Sequence, residues 1–154
     1  MRRRDFISLI GSAASWPLGA RAQQSALPVV GLLNSGTFAT NAKNVEAMRQ
    51  GLKESGFIDG QNVAIEFRWA ENQFDRLPAL ATDLVRKPAA VIVGNTPAAL
   101  SAKAVTATIP IVFTTGSDPV RDGLVASLNR PGGNVTGIVF ITERLGAKRL
   151  ELLR

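Results

Sequence analysis

Short apolar runs alternate with amphipathic helical patterns from Pro28 onward, and this alternation restricts the possible fold more than any other feature of the sequence. The runs are rich in β-branched and aromatic residues, as buried strands are. They are Pro28–Leu33, Val63–Ala70, Ala89–Val93, Ile109–Thr114 and Val135–Ile141. Strands that alternate with helices form βαβ units around a parallel sheet. The sequence therefore predicts an α/β fold with a doubly wound parallel sheet of about five strands.

Capping residues and helix breakers set the predicted helix boundaries. Thr40 or Asn41 is positioned to cap the first helix, and Gly56 ends it. Asn95-Thr96-Pro97 opens a later helix with a capping residue, and Pro97 takes the first helical position, where its missing N–H costs nothing. The other helical patterns cover Phe74–Arg86, a short stretch from Val120 to Leu128, and Thr142–Arg154.

Polar loops directly follow three of the predicted strands. The loops are Asn34–Thr37, Gly94–Pro97 and Thr114–Pro119. In a parallel sheet the carboxyl ends of the strands share one edge, and ligands bind in the crevice outside it. The candidate ligand-binding residues in these loops are Asn34, Ser35, Asn95, Thr96, Thr115, Ser117 and Asp118. The alternative for each loop is a plain strand-to-helix connection with capping residues.

The residue types present argue against most catalytic mechanisms. The chain has no Cys and no His, so it has no thiolate, no imidazole base and no disulfide. A metal site would have to be built from oxygen ligands alone. The glycine motifs of dinucleotide sites, phosphate loops and serine hydrolases are missing as well. We therefore expect a protein that is not an enzyme and that uses neither a metal nor a cofactor.

The positive charge is concentrated at the N-terminus. The formal net charge is +6, and half of it lies in the first 22 residues. The remaining charge forms no basic stripe with interleaved aromatic residues, so we expect no nucleic-acid partner. The neighbouring residues Arg121 and Asp122 are a further feature that could carry function, but a solvated face is the favoured interpretation, because exposed ion pairs are common and weak.

Residues 1–22 have the order of an export signal. A basic start precedes a moderately apolar run, and Ala20-Arg21-Ala22 matches the small-x-small pattern of a signal peptidase site. Arg3 and Arg4, followed by one residue and two apolar ones, resemble the twin-arginine motif. The run is shorter than the ~20 apolar residues that span a bilayer. We predict export by the twin-arginine machinery, cleavage near Ala22 and a periplasmic location. The alternative is an ordinary secretory signal.

Five motifs occur along the chain after this signal. The longest runs from Ser117 to Gly137 as SDPVxxGLVxSLxRPGGNVTG. The shorter ones are GLxExGF from Gly51, GxNVxIE from Gly60, TPAA from Thr96 and IPIVF from Ile109. With these motifs the chain resembles the substrate-binding component of ABC transporters in the type I periplasmic-binding-protein fold. The similarity is to the branch associated with aromatic amino acids.

The resemblance implies a flavodoxin-like lobe of a two-lobed protein. The lobes would close on a small polar solute, such as an amino acid, and deliver it to ABC permease subunits. The resemblance also places six of the loop residues at the ligand, namely Asn34, Ser35, Asn95, Thr96, Ser117 and Asp118. It divides the chain into a signal peptide (1–22), an N-terminal α/β lobe (23–141) and the opening helix of a second lobe (142–154). We therefore expect a truncated form of such a protein.

Two other functions compete with this one. The first is the ligand-sensing lobe of a transcription regulator with the same fold. Such a protein needs a helix-turn-helix before the first strand, where residues 1–27 of this chain have the features of a signal peptide. The second is a fragment of an α/β enzyme, and the missing nucleophiles and motifs argue against it.

Overall fold

The computed structural model describes residues 27–87 and 89–140. Their elements are β1 (Val29–Asn34), α1 (Phe38–Glu54), β2 (Ala64–Trp69), a 3₁₀ turn (Phe74–Arg76), α2 (Leu77–Arg86), β3 (Ala89–Asn95), α3 (Thr96–Val105), β4 (Ile111–Thr115) and β5 (Val135–Val139). The predicted export signal, with Arg3, Arg4, Ala20 and Ala22, lies outside the described residues, as does the predicted helix 142–154.

The five strands form one sheet in the order β2-β1-β3-β4-β5, and every neighbouring pair is parallel. This is the flavodoxin-like order of a doubly wound sheet, so the predicted fold class is confirmed. β2 and β5 are the edge strands. The strands between them are continuous apolar runs because helices cover the sheet on both sides.

α1 covers one face of the sheet, and α2 and α3 cover the other. Arg49 of α1 lies over the ring of Phe67 in β2, 5.2 Å from its centroid. On the opposite face, the Leu84 side chain of α2 lies against Gly31 of β1. The core between the sheet and this second face includes Leu33, Leu77, Leu84, Ile92, Ala98, Ala99, Ala102, Ile111 and Leu124. Among the described helices, none is both long and apolar enough to cross a membrane.

The start of α1 differs from the prediction. Thr37 is the N-cap, and its Oγ1 accepts a hydrogen bond from the Thr40 N–H at 3.3 Å. The expectation that Thr40 or Asn41 caps this helix is wrong. Asn41 instead donates from its amide to the Thr37 carbonyl oxygen at 2.9 Å. The helix begins earlier because the hydroxyl of Thr37 already supplies the capping oxygen. Phe38, in the first turn, makes an edge-to-face contact with Trp69, at 6.0 Å between ring centroids.

The segment between β4 and β5 is not the short helix predicted from Val120 to Leu128. It makes one helical turn, which Gly123 ends with a φ of 76°. The Leu124 N–H donates to the Pro119 carbonyl at 2.9 Å and the Gly123 N–H to the Val120 carbonyl at 3.1 Å. These two bonds form a Schellman motif. The apolar spacing is that of a helix, but the left-handed glycine stops it after one turn.

An ion-pair network links edge strand β2 to α2. Arg68 contacts Glu66 and Asp83, at 2.7 Å in both cases, and Lys87 lies 3.1 Å from Glu66. Hydrogen bonds from Lys87 and Arg68 hold the pKa of the Glu66 carboxyl below its usual value. The hydrogen bond from Arg68 does the same for the pKa of Asp83. Each carboxyl therefore adds to the stability of the fold while it is ionised, and its contribution is lost when it is protonated.

We expect the Arg68→Met variant to lose less stability in acid than the wild-type chain loses. A depressed folded pKa stabilises the fold above the unfolded value, near 4, and this stabilisation disappears as pH falls through the folded pKa. Without Arg68, the variant is less stable at pH 7 and its melting temperature changes less between pH 5 and pH 2. Thermal melts at several pH values test this. Arg130→Met, on an exposed turn, should follow the wild-type pH profile, and an acid sensitivity of Arg68→Met equal to the wild type would contradict the prediction.

Candidate functional site

The three polar loops meet at the carboxyl edge of the sheet. β1 and β3 are parallel neighbours, and β4 follows β3 in the sheet. After β1 the chain enters α1 on one face, and after β3 it enters α3 on the other. The loops diverge at this point and leave a crevice, which is where open α/β sheets bind ligands. The predicted shared edge follows directly from the parallel pairing.

Ser35 and Asn95 join the first two loops through a pair of hydrogen bonds. The Asn95 amide Nδ2 donates to the Ser35 hydroxyl at 2.7 Å, and the Ser35 N–H donates to Asn95 Oδ1 at 3.3 Å. Asn95 occupies the N-cap position of α3, but its side chain makes no capping bond, because both of its polar atoms are bound to Ser35. α3 begins at Thr96, so Pro97 stands one position later than predicted.

A chain of three hydroxyl groups links α3 to the loop after β4. Thr96 Oγ1 donates to Thr115 Oγ1 at 2.8 Å, and Thr115 Oγ1 lies 2.8 Å from Ser117 Oγ. Ser117 Oγ donates in turn to the carboxylate of Asp122. The Ser117 N–H also donates to Thr115 Oγ1 at 3.1 Å. We call Thr96, Thr115, Ser117 and Asp122 the hydroxyl relay.

Asn34 and Asp118 bond only within their own loops among the side-chain hydrogen bonds of the described residues. Asn34 Oδ1 accepts from the Gly36 N–H at 2.8 Å. Asp118 Oδ1 accepts from the Val120 N–H at 2.9 Å and from the Arg121 N–H at 3.3 Å, which caps the helical turn. The structure therefore brings five of the seven candidate residues into two clusters that cross between loops. Ligand contact by any of the seven stays a prediction.

Asp122, for which the sequence favoured a solvated face, joins this cluster. Its side chain is 21% exposed and accepts from Ser117, so it belongs to the hydroxyl relay as well as to the surface. Arg121 is 65% exposed, and its Nε lies 3.9 Å from the other oxygen of Asp122. No local sequence pattern indicates this contact, because it depends on how the turn between Asp118 and Gly123 folds.

A groove of about 580 Å³ opens from the same edge and runs between α1 and the sheet. Asn34 and Asn95 line its upper end. Its walls are mainly apolar and include Leu32, Met48, Trp69, Val93 and Ile138. The volume lies within the usual range of small-molecule pockets, about 300–1,000 Å³. The sequence did not indicate this groove, because it depends on how far α1 stands from strands β3 to β5.

The chemistry of the site is that of binding. Its side chains are hydroxyls, amides and one carboxylate, which donate and accept hydrogen bonds. The described residues contain no group of three or more acidic side chains that is placed to hold a metal ion. They also contain no buried side-chain nitrogen or oxygen without a hydrogen-bond partner. A preformed, satisfied polar edge beside an apolar groove is typical of a small-molecule site.

Comparisons with known proteins place this lobe among binding proteins. Residues 39–154 match the family model described as "ABC transporter substrate binding protein". The tyrosine-binding protein of Clostridioides difficile (strain R20291) is 40% identical over 87 residues, which is 56% of this chain and 25% of that protein.

Three solved structures share the fold at 30% identity each. The ligand-free, open structure of a substrate-binding protein with adhesive properties from Clostridium difficile gives a TM-score of 0.73 and covers 82% of this chain and 43% of its own. An ABC domain in complex with L-Trp from Streptococcus pneumonia gives a TM-score of 0.68, and the match covers 74% of this chain and 39% of that one. A conserved domain protein from Vibrio cholerae O1 gives a TM-score of 0.75, and the match covers 82% of this chain and 42% of that one.

The fold and its polar edge define one α/β lobe of a periplasmic-binding-protein architecture. The chain belongs to the ABC transporter substrate-binding protein family, whose model matches about three quarters of it. The chain spans about a quarter of the length of the curated relative and about two fifths of the length of the solved ones.

Proposed function

We propose that this chain captures a small amino-acid-like solute at the carboxyl edge of its sheet, as part of an exported binding protein that supplies an ABC permease. The observation that carries the proposal is the pair of side-chain clusters that cross between loops at this edge. Such clusters hold Ser35, Asn95, Thr96, Thr115 and Ser117 in fixed positions before a ligand arrives. Preorganised polar groups lose little conformational entropy on binding.

The apolar groove beside the edge favours a ligand with an aromatic side chain. A zwitterionic amino acid would place its polar groups at the loops and its side chain between Met48, Trp69 and Val93. The relatives agree with this class, since one is named a tyrosine-binding protein and another was solved with L-Trp. Binding without catalysis agrees with the lack of Cys and His in the chain.

The residues 23–141 form the N-terminal lobe in this proposal, and 142–154 begin the second lobe of the architecture. A second lobe would close over the ligand and complete its hydrogen bonds. Each hydrogen bond missing from a one-lobe site costs about 0.5–1.5 kcal/mol, and about 1.4 kcal/mol is a factor of ten in affinity. We therefore expect the 154-residue chain to bind an aromatic amino acid with roughly millimolar affinity.

Titration of the ¹⁵N-labelled chain with L-tryptophan tests this function. We expect saturable amide shifts at millimolar concentration in the three loops, and weaker binding by Thr96→Val, which removes one hydroxyl of the relay. Thr82→Val, which removes a hydroxyl of α2 that bonds to the Pro78 carbonyl, is the matched control and should bind as the wild type does. Shifts confined to other surfaces, or none at the solubility limit, would contradict the proposal.

Export by the twin-arginine route is the second part of the proposal. We expect Arg3→Lys together with Arg4→Lys to stop accumulation in the periplasm, because the receptor of that route reads paired arginines. Cell fractionation of a C-terminally tagged chain measures the effect. Arg21→Lys keeps the charge and leaves the pair intact, so it should be exported normally. Undiminished export of the double variant would contradict the twin-arginine route and leave the general secretory route as the explanation for export.

A further inference from the structure

We infer that β5 is an interaction surface through which two copies of the chain pair as antiparallel strands about a twofold axis. β5 is an edge strand, and β4 is its neighbour in the sheet of the described residues. Thr136, Gly137 and Ile138 are all exposed. An edge strand presents a row of backbone groups that can pair with a further strand. Pairing at this edge needs no ligand and goes beyond the proposed function.

The backbone of β5 directs every second residue away from β4. The Ile111 N–H donates to the Asn134 carbonyl at 2.8 Å, and the Phe140 N–H donates to the Thr115 carbonyl at 2.7 Å. In a parallel pair the residues that bond to the neighbouring strand alternate with residues that do not, so the even-numbered residues of β5 bond to β4. The residues whose N–H and C=O groups point outwards are Val135, Gly137 and Val139.

The sequence of β5 has none of the features that protect edge strands. Val135–Ile141 reads VTGIVFI and contains neither a charged residue nor a proline. Proteins commonly protect an edge strand with charged side chains or with proline. The other edge strand, β2, carries Glu66 and Arg68, which belong to the ion-pair network with α2. With one open edge and one charged edge, the sheet pairs once and closes as a dimer instead of extending into a fibre.

The side chains of β5 complement an identical strand. Ile138 and Phe140 alternate onto the same face of the sheet and are 56% and 55% exposed. A twofold axis at Ile138 places this residue opposite its own copy and Phe140 opposite Thr136. Aromatic and β-branched side chains in such cross-strand pairs stabilise a sheet. In the same register the outward backbone groups of Gly137 face those of Val139 and bond to them.

One strand pair buries little area, so the dimer should be weak. Stable interfaces bury about 1,200–2,000 Å² in total, and a pair of five-residue strands lies below that range. We expect a dissociation constant roughly between 1 µM and 1 mM. Sedimentation equilibrium of the 154-residue chain, at concentrations from about 10 µM to 1 mM, measures it. A chain that stays monomeric throughout would overturn the inference.

Opposite charges at Ile138 test whether the two copies meet at this residue. Ile138→Lys and Ile138→Glu each place like charges opposite one another, which destabilises a strand pair. We expect each variant alone to dimerise about tenfold more weakly than the wild type. An equimolar mixture should recover the dimer, because lysine then faces glutamate. Phe57→Lys, which changes a 48% exposed residue in the turn before β2, is the control and should dimerise as the wild type does.

Disulfide trapping tests the register, because the chain contains no cysteine of its own. Ile138→Cys should give a covalent dimer on mild oxidation, since its two copies face each other. Thr136→Cys, at an exposed position on the same strand, is the matched control. Its two copies would lie about 14 Å apart along the strands, beyond the ~7 Å between Cα atoms that a disulfide can bridge.

The results distinguish this pairing from other contacts and from ligand binding. A dimer that persists in both charge variants, or equal trapping by Thr136→Cys and Ile138→Cys, would place the contact elsewhere and overturn the pairing. A mixture of the two charge variants that stays monomeric would overturn the twofold axis at Ile138. The proposed function is decided separately by the L-tryptophan titration, so either conclusion can fail without the other.

Discussion

Replacing Gly137 with alanine is expected to detach β5 from the sheet and to lower the free energy of unfolding by about 3 kcal/mol or more. A Cβ atom at this position would lie 2.5 Å from Cγ of Phe113 and closer still to the Phe113 carbonyl oxygen. Phe113 is the residue opposite Gly137 in β4, and its side chain is 3% exposed. The ring cannot retreat into a close-packed core, and the carbonyl belongs to the strand backbone.

Urea denaturation followed by circular dichroism measures this loss. Thr136→Ala is the matched control, because Thr136 is the exposed neighbour on the same strand, and surface changes of this kind stay within about 0.5 kcal/mol. Because a domain is stable by only about 5–15 kcal/mol, Gly137→Ala should also reduce the yield of soluble chain. An unfolding midpoint equal to that of the control would show that β4 and β5 separate easily to admit the methyl group.

The sheet could be predicted because its determinants are local. In this chain the apolar runs alternate with helices. Continuous runs such as Pro28–Leu33 and Ile109–Thr114 are therefore most stable as strands buried between helices. The observed strands Val29–Asn34 and Ile111–Thr115 differ from these runs by one or two residues. The shared loop edge then follows from parallel pairing alone, without knowledge of any side-chain position.

The features that the sequence did not predict depend on three-dimensional contacts, which the spacing of apolar residues does not show. From Val120 to Leu128 the apolar spacing fits a helix, but one glycine with a positive φ outweighs it. Asp122 looks like a surface charge beside Arg121 until that turn brings it to Ser117. Asn95 fits a capping position, yet its amide is taken by Ser35, which is 60 residues away in sequence. Long-range partners of this kind appear only once the strand order is known.

Gly94→Ala is expected to damage stability and ligand binding together, because Gly94 sets the distance between β3, β1 and α3. An added Cβ would lie 2.9 Å from the Leu33 carbonyl oxygen and 3.0 Å from Cβ of Ala98. Neither contact is with the end of a flexible side chain, so the start of α3 has to move away from the sheet. We expect a loss of about 1–3 kcal/mol in the free energy of unfolding.

The same displacement should reach the site, because Gly94 directly precedes Asn95 and Thr96. Moving the start of α3 away from the sheet is expected to lengthen the 2.8 Å bond between Thr96 and Thr115, and misplaced polar groups bind more weakly than preorganised ones. The amide shifts that L-tryptophan causes in the wild-type chain should therefore be lost or strongly reduced in a Gly94→Ala chain that is still folded. Urea denaturation measures the stability of the same sample.

Gly51→Ala separates this effect from a general response to losing a glycine. A Cβ at Gly51 would meet nothing within 4 Å, and the position lies inside α1, where alanine is favoured over glycine by about 0.5–1 kcal/mol. This variant should be more stable than the wild type and should bind L-tryptophan unchanged. If Gly94→Ala loses stability but binds as well as Gly51→Ala, then the position of α3 does not control ligand binding at the polar edge.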